Sequence, residues 1–337
     1  MSHQMTTLDV ENALYREAPW HKLGTVGPID WEEARDAFDW CEVEKSPIYI
    51  RHSQSAYALK EYHELEGRQV IKMVRYPYAH AEISSRYQIV QHRFMIDDLT
   101  GMLLDTDLVE TIESVGTYDN GAVGYVSLKF KDGIDIPGWS HVDSMFNIGN
   151  GHDKSVPLIA TQSAHAVVCA NTFKMNILDK DAIFKFKKIG DPQGMMEEAV
   201  RALCDGYERN VRYGKMIERM ANEEFVDSQW RELRHQLFPM PRHKPGENQQ
   251  GHKNIVTRWN TTQEGLHHRY FNDEDVAPIR GTKWGALMAV QAWEQKDKSF
   301  KGLKSSFERT QRHQAAVMFG KLPVTEKAAK ILTGVSE

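Results

Sequence analysis

Apolar residues in the first half of the chain fall in short alternating blocks, whereas in the second half they recur at helical spacing. Residues 48–51, 70–75 and 85–90 are short, β-rich and bounded by polar residues, which predicts strands. Tyr57 and Tyr62 fall in the polar connection between the first two. Residues 92–104 place Phe94, Ile96, Leu99 and Leu103 on one side of a helix inserted among the strands. Residues 109–115 and 122–130 flank Tyr118-Asp119-Asn120-Gly121, and Asn-Gly supplies the positive φ that a tight hairpin turn needs. The stretch 141–178 reads as a second hairpin turning at Asn150-Gly151-His152-Asp153, with Gly149 and Gly151 free to take positive φ. Strands at 158–160 and 164–169 follow, the latter carrying Cys169. Ahead of all this, residues 8–18 look helical up to Pro19, and Trp20, His21 and Lys22 precede a Gly-rich turn. Asp30, with Glu32 and Glu33 behind it, caps a helix that puts Trp31, Ala34, Ala37 and Phe38 on one side.

The pattern changes at Asp191-Pro192, a helix start with proline at the first helical position. Met196, Val200, Leu203, Tyr207, Val211, Ile217 and Met220 then recur at helical spacing. Asp227 or Ser228 caps a helix carrying Trp230, Leu233 and Leu237; residues 239–251 have loop composition, and residues 252–270 are helical again. Thr282 caps a segment, 281–290, that is apolar on nearly every side, so its helix is expected to be buried. Gly285, Ala286 and Ala289 would let a neighbour approach it closely. A basic segment, 296–312, leads to a terminal helix. The expectation is an α+β fold: an antiparallel β-meander with an inserted helix, followed by a C-terminal helical region. A β-rich part, 1–180, and a helical, basic part, 181–337, are expected to share one core.

Composition adds bounds. With 41% hydrophobic and 26% charged residues in 337, the chain is ordinary for a globular protein and not for a disordered one. No apolar run approaches the roughly 18–20 residues that span a bilayer, so no membrane partner is expected. The start, MSHQMTTLDVEN, lacks a basic region followed by an apolar one, so secretion is not expected. Three cysteines, Cys41, Cys169 and Cys204, share no C-x-x-C spacing, which suits a reducing cytoplasm. The net charge of −5 conceals a division: residues 181–337 carry 26 Lys and Arg against 21 Asp and Glu, a net of +5, which leaves −10 for residues 1–180. Either the halves have different partners, or subunits meet acidic face to basic face.

Candidate chemistry concentrates in the basic half. Arg231, Arg234, Arg242, Lys244, Lys253, Arg258, Arg269, Lys301, Lys304, Arg309, Arg312 and Lys321 are interleaved with Trp230, Trp259, Tyr270 and Phe307. Lysine and arginine neutralise phosphates, and aromatics stack on unpaired bases at about 1–3 kcal/mol each. Amphipathic helices with their aromatics buried produce the same pattern. His141, His152, Asp153, His165, His267 and His268 are the residues a metal could use, but they form no H-x-x-x-H or other dense ligand pattern, and no metal is expected. Cys169 and His165 would share a strand face about 13 Å apart, too far for direct proton transfer, so an inert buried cysteine is the better reading. GxxxxGK[ST] is absent, so neither ATP nor another cofactor is expected.

Five motifs occur in an order shared with one family: PWHKLGTV at 19–26, the strand-to-helix corner at 87–91, NGHDKS at 150–155, VVCANTF at 167–173 and GTKWGALMAV at 281–290. They resemble the phage/plasmid-like proteins of domain-of-unknown-function family 932. That family usually has an arginine just before the V-V-C strand, where this chain has Ala166 beside His165. The resemblance implies a protein of a bacteriophage or mobile element working in the bacterial host cytoplasm, with no assigned activity. Members often accompany replication and recombination genes, and the architecture is similar to that of single-strand annealing proteins of the RecT, Erf and Sak kind. The leading expectation is therefore a non-enzymatic, ATP-independent protein that binds single-stranded DNA as a homo-oligomeric ring or filament. Its expected contacts are Arg234, Arg242, Lys244, Lys253, Arg258, Trp259, Arg269, Lys304, Arg309 and Arg312. A structural or assembly protein is the alternative, and an enzyme with a site near His152, Asp153 and His165 is a third.

Overall fold

Two antiparallel sheets and a set of C-terminal helices make up the computed structural model, which describes residues 6–15, 29–52, 61–104, 107–135, 141–166, 172–174, 183–186, 192–243, 248–298 and 322–334. In chain order the β-rich part contains α1 (Thr7–Glu11), β1 (Leu14–Tyr15), α2 (Trp31–Asp36), β2 (Val43–His52), β3 (Glu61–Met73), β4 (Ala79–Ser84) and α3 (Gly101–Leu104). It continues through β5 (Val109–Tyr118), β6 (Val123–Phe130), β7 (Ile134–Asp135), β8 (His141–Gly151), β9 (Leu158–Ala166), β10 (Thr172–Lys174) and β11 (Ile183–Phe186). The helical part contains α4 (Pro192–Asn222), α5 (Asp227–Leu237), α6 (Gln249–Asn272), α7 (Lys283–Ala292) and α8 (Pro323–Thr333). The large sheet runs β1-β5-β6-β8-β9-β10, with β7 beside β8 and β11 beside β9; β2-β3-β4 form the small one. This is the expected α+β arrangement. Among the described residues no helix is long and apolar enough to cross a membrane.

The β5–β6 hairpin turns where expected, with Asp119, Asn120 and Gly121 all at positive φ. The second hairpin does not. Gly149, Asn150 and Gly151 belong to β8, paired with Tyr125, Gly124 and Val123 of β6, and the turn comes later, at residues 152–157. Asp153 Oδ1 accepts from the Ser155 backbone N–H at 2.9 Å, an Asx-type turn, and Lys154 takes the positive φ. Gly151 is required for closeness rather than for φ: a Cβ there would lie 2.6 Å from the Val156 carbonyl oxygen. The two strands expected after the turn are one, β9.

Residues 85–90 are not a strand either. Pairing of β4 with β3 ends at Ser84, and the corner is docked by a side chain instead. Gln91 Oε1 accepts from Val43 N–H at 3.2 Å, and its Nε2 donates to the Val43 carbonyl at 2.6 Å, so one amide stands in for a strand neighbour of β2. The helix that follows opens with a π-helical turn, Met95–Thr100, before α3. Trp31 Nε1 donates to the Ile96 carbonyl and Thr100 Oγ1 to that of Met95, so side chains share carbonyls in the widened turn.

The register puts Val126, Leu128, Phe146 and Ile148 on one face of the meander, against Phe38 and Ala34, Met95, Ile96 and Leu99. The same face becomes polar toward the β5–β6 turn. There the fully buried Asp9 carboxylate accepts from Thr117 Oγ1 at 2.5 Å, Gly121 N–H at 2.9 Å, Asn120 N–H at 3.0 Å and Thr6 N–H at 2.8 Å. Successive positive-φ residues turn their amides toward one point, which suits an anion. Beside it Asn150 Nδ2 donates to Val90 O and to His92 Nδ1, while His92 Nε2 donates to Gly121 O. The rings of His92 and His152 lie 4.1 Å apart, and His80 of β4 stacks on His152 at 6.4 Å.

Among the described residues the buried apolar side chains fall into two clusters. One lies between the meander and the N-terminal helices; the other is made by α4–α8. The long α4 touches both, with Tyr207 edge-on to Phe130 at 6.0 Å and Ile217 and Met220 inside the helical cluster. Every residue of α7 from Trp284 to Ala292 is buried, and Thr282 caps it by accepting from Gly285 N–H at 3.0 Å. A Cβ on Gly285 would collide with the Ile279 carbonyl oxygen, so that close approach needs glycine. The buried Glu294 carboxylate accepts from Thr325 N–H at 2.8 Å and Thr325 Oγ1 at 2.9 Å, neutralising the start of α8, and takes Lys298 Nζ at 2.7 Å. Trp20, His21, Lys22 and Cys169 lie outside the described residues.

Two outcomes follow for stability. Asp9→Ala leaves buried turn amides without their acceptor and should cost about 3 kcal/mol in chemical denaturation; an unchanged midpoint and slope would show that the carboxylate is dispensable. Burial pushes the pKa of His80 down, partly opposed by Asp153, Asp9 and Asp119. The unfolded chain therefore binds the His80 proton more readily. That contribution is intact above the ordinary value of 6.5 and is lost as the pH falls from there toward the lowered folded-state value. Denaturation at neutral and mildly acidic pH should show a smaller acid loss in His80→Phe than in the parent chain.

Candidate nucleic-acid interface

The surface with the strongest claim on a polyanion is the outer half of α6. This helix starts at Gln249 rather than at 252 because Asn248 Oδ1 caps it, accepting from Gln250 N–H at 2.9 Å. Its second half is held in the helical core by Gln263, Leu266 and Tyr270. Among the described residues its first half is attached where half-buried Trp259 donates Nε1–H to Phe238 O at 2.8 Å and meets His235 edge-on, and where His252 meets His243. The remaining sides present Gln250, Lys253, Asn254, Thr257, Arg258, Asn260 and Thr261 to solvent. Residues 249–263 contain no aspartate or glutamate. Lys253 and Arg258 are exposed, and among the described residues neither is in an ion pair. Exposed Arg242 precedes the helix, and exposed Arg231 lies on α5.

Tertiary structure divides the predicted contacts into groups. Arg242, Lys253 and Arg258 are exposed, as phosphate contacts must be. Arg234 is half-buried: its Nη1 donates to Gln263 O at 3.0 Å, its guanidinium lies over the Trp230 ring, and burial followed by the nearby Arg231 lowers its pKa. Arg269 is consumed by two aspartates. Nε and Nη2 each donate to Asp297 at 2.7 Å, Nη1 donates to Asp273 at 2.8 Å, and these bonds, those to Asp297 foremost, raise its pKa. Lys244, Lys304, Arg309 and Arg312, with Lys301, Lys321 and Phe307, lie outside the described residues.

The aromatics expected to stack on bases are engaged with the protein. Trp230 and Tyr270 stack on each other at 4.3 Å, both fully buried, and the Tyr270 hydroxyl donates to Phe225 O and accepts from Gly281 N–H. Trp259 is tied down as described above. The α6 surface is therefore cationic and amide-rich, with no open aromatic among these three. Sequence reasoning named its cations but passed over Gln250, Asn254 and Asn260; the acid-free run at 249–263 was the signal that could have found them.

The histidines singled out from the sequence do not gather into a site. His165 sits opposite Asp143 in the β8–β9 ladder, nine residues along β8 from His152, or about 30 Å at strand rise. It therefore lies at the other end of the sheet from His152 and Asp153, and the three cannot act together. Among the described residues no group of His, Cys, Asp and Glu has the geometry to hold a metal ion. His267 packs on Phe271, and His268 Nδ1 accepts from Asn272 Nδ2 at 3.2 Å.

A family model described as a domain of unknown function (DUF932) matches residues 79–318, more than half of the chain. No curated protein and no solved structure matches the chain.

The Arg269 geometry separates a fold role from a binding role. Arg269→Ala should lower stability by about 2 kcal/mol, because it leaves two carboxylates without their charged donor. Once corrected for the folded fraction, any nucleic-acid affinity should be unchanged. A lower affinity at unchanged stability would return Arg269 to the interface.

Proposed function

The chain belongs to the DUF932 family, a domain of unknown function, and we propose that it is a phage- or plasmid-encoded, ATP-independent nucleic-acid-binding protein. In this reading it holds single-stranded DNA by its phosphates along α6 and acts as an annealing protein when several copies line up. The observation that carries the reading is the outer half of α6, where Lys253 and Arg258 stand exposed on a run of fifteen residues, 249–263, without one carboxylate. A phosphate backbone approaching residues 249–263 meets cations and neutral amides and no carboxylate of that run.

The mode of contact follows from what the structure leaves open. Trp230 and Tyr270 are buried against each other, so affinity comes from backbone neutralisation rather than from stacking on those rings. Exposed Gln250, Asn254 and Asn260 add neutral hydrogen-bond donors and acceptors between the charges. Contacts of this kind carry no sequence information and leave base edges free to find a complementary strand.

Titration of a labelled single-stranded oligonucleotide at low salt tests the proposal directly, and absence of saturable binding sinks it. The double variant Lys253→Ala with Arg258→Ala should bind more weakly and fold as well as the parent chain. Its plot of log affinity against log salt should be shallower by about 1.4, at roughly 0.7 per lost single-strand phosphate contact. An unchanged slope would remove α6 as the interface.

A further inference from the structure

Exposed large apolar side chains are not scattered over this molecule. Of nine among the described residues, three lie on β2 and β3, two (Val74 and Tyr78) lie in the connection from β3 to β4, and the other four lie within residues 211–255 of the helical half. On the small sheet the concentration is greatest where β2 and β3 run beyond the third strand. Pairing with β4 covers only Arg68–Lys72, whereas β2 and β3 stay paired out to His52 and Glu61. This two-stranded arm carries Tyr49, Ile50 and Tyr62 at 56%, 51% and 58% exposure. The register places Tyr49 opposite Glu64, Ile50 opposite His63 and Arg51 opposite Tyr62. Tyr49 and Tyr62 therefore share one face and Ile50 points to the other, so each face presents at least one large apolar side chain to water.

A two-stranded ribbon with no third strand among the described residues is marginal in water. Its exposed rings also carry an unfavourable hydration cost that burial would remove. Along the β2 edge, extension by another strand is disfavoured. β2 contains Pro47, and its register shifts between Pro47 and Tyr49, two features that block pairing at a sheet edge. The faces, rather than that edge, are the contact surface.

Charge selects the occupant. Beyond the third strand the described arm carries one arginine, Arg51, against Glu61, Glu64 and Glu66, and Glu64 stands directly across from Tyr49. Such an arm repels a phosphate backbone and suits a basic protein surface. The chain supplies one: residues 181–337 carry a net charge of +5 against −10 for the rest, and they hold the other exposed apolar residues, Met240 the most open at 60%.

We propose that the β2–β3 arm of one copy docks on the helical half of a second copy of this chain. The contact is heterologous, since arm and receiving surface are different patches, and repetition gives a closed ring or an open filament. It deepens the oligomeric part of the proposed function and is independent of whether nucleic acid binds. Each added copy would bring another α6 into line and lengthen the cationic track.

Sedimentation velocity of the full chain without nucleic acid is the test, with far-ultraviolet circular dichroism and thermal melting as folding controls. The parent chain should sediment as a multimer. Tyr49→Lys with Tyr62→Lys, which puts cations where a basic surface must approach, should sediment as a monomer with an unchanged spectrum. Tyr49→Thr with Tyr62→Thr keeps strand propensity while removing the rings and should also shift toward monomer, which guards against misfolding of the lysine pair. A monomeric parent chain, or multimers unaffected by either pair, overturns the proposal. A monomeric parent whose arm variants lose single-stranded DNA affinity also overturns it, by making nucleic acid the occupant. Loss of assembly with intact DNA affinity, or intact assembly without DNA affinity, tells failure of one reading from failure of the other.

Discussion

A sheet buried on both faces carries polar groups that are costly unless paired, and the pairing of the most demanding of them shapes the β-rich part of this protein. The interior positions of β5, β6 and β8 are buried in consecutive residues, so alternation does not release polar side chains to solvent. Ser127 answers with a hydrogen bond to Asn147, and Thr117 with one to Asp9. Asp9 is the extreme case. A buried carboxylate would be costly alone, but the positive-φ turn at Asp119–Gly121 offers it two backbone donors and Thr6 offers two more, which locks the N-terminal segment onto a hairpin more than a hundred residues away.

The same logic organises the helical part. Arg269 with Asp273 and Asp297, and Glu294 with the start of α8, are charged groups whose donors and acceptors are supplied by other helices or by the segments next to them. These ionic clusters tie α6 and α8 to the segment after α7, around the Trp230–Tyr270 stack and the fully buried α7. Cations that look alike in a list of residues thus do different work. Arg269 and Arg234 hold the fold, and Lys253, Arg258 and Arg242 remain at the surface.

Two projections stand out from these cores: the outer half of α6, cationic and polar, and the β2–β3 arm, apolar and acidic. They differ in what they can hold. A charged amide surface retains its hydration and attracts a hydrated polyanion, whereas exposed tyrosines gain most from contact with another apolar surface. In the proposed readings the arm serves self-assembly and the α6 cations serve nucleic-acid binding, so arm variants and α6 variants would tell the two apart.

Much of the fold was legible in the residues because its signals are local. Asp30 and Thr282 act as helix caps, Asn120-Gly121 makes the first hairpin turn, Pro192 opens a long helix and the all-apolar α7 is buried, since each depends on neighbours within a few positions. The acid-free run of α6 was equally open to inspection. Tertiary structure alone decided the rest. It moved the second turn from Asn150 to residues 152–157, because β6 needed Asn150 as a ladder partner and the close approach of Val156 needed Gly151. It replaced the strand expected at 85–90 by a corner held through Gln91, and it separated His165 from His152 by most of the length of β8. It also chose which cations face water and which rings are buried. Those outcomes depend on residues distant in sequence meeting in space, and on the cost of leaving a charge or a ring unsatisfied there, neither of which a local pattern records.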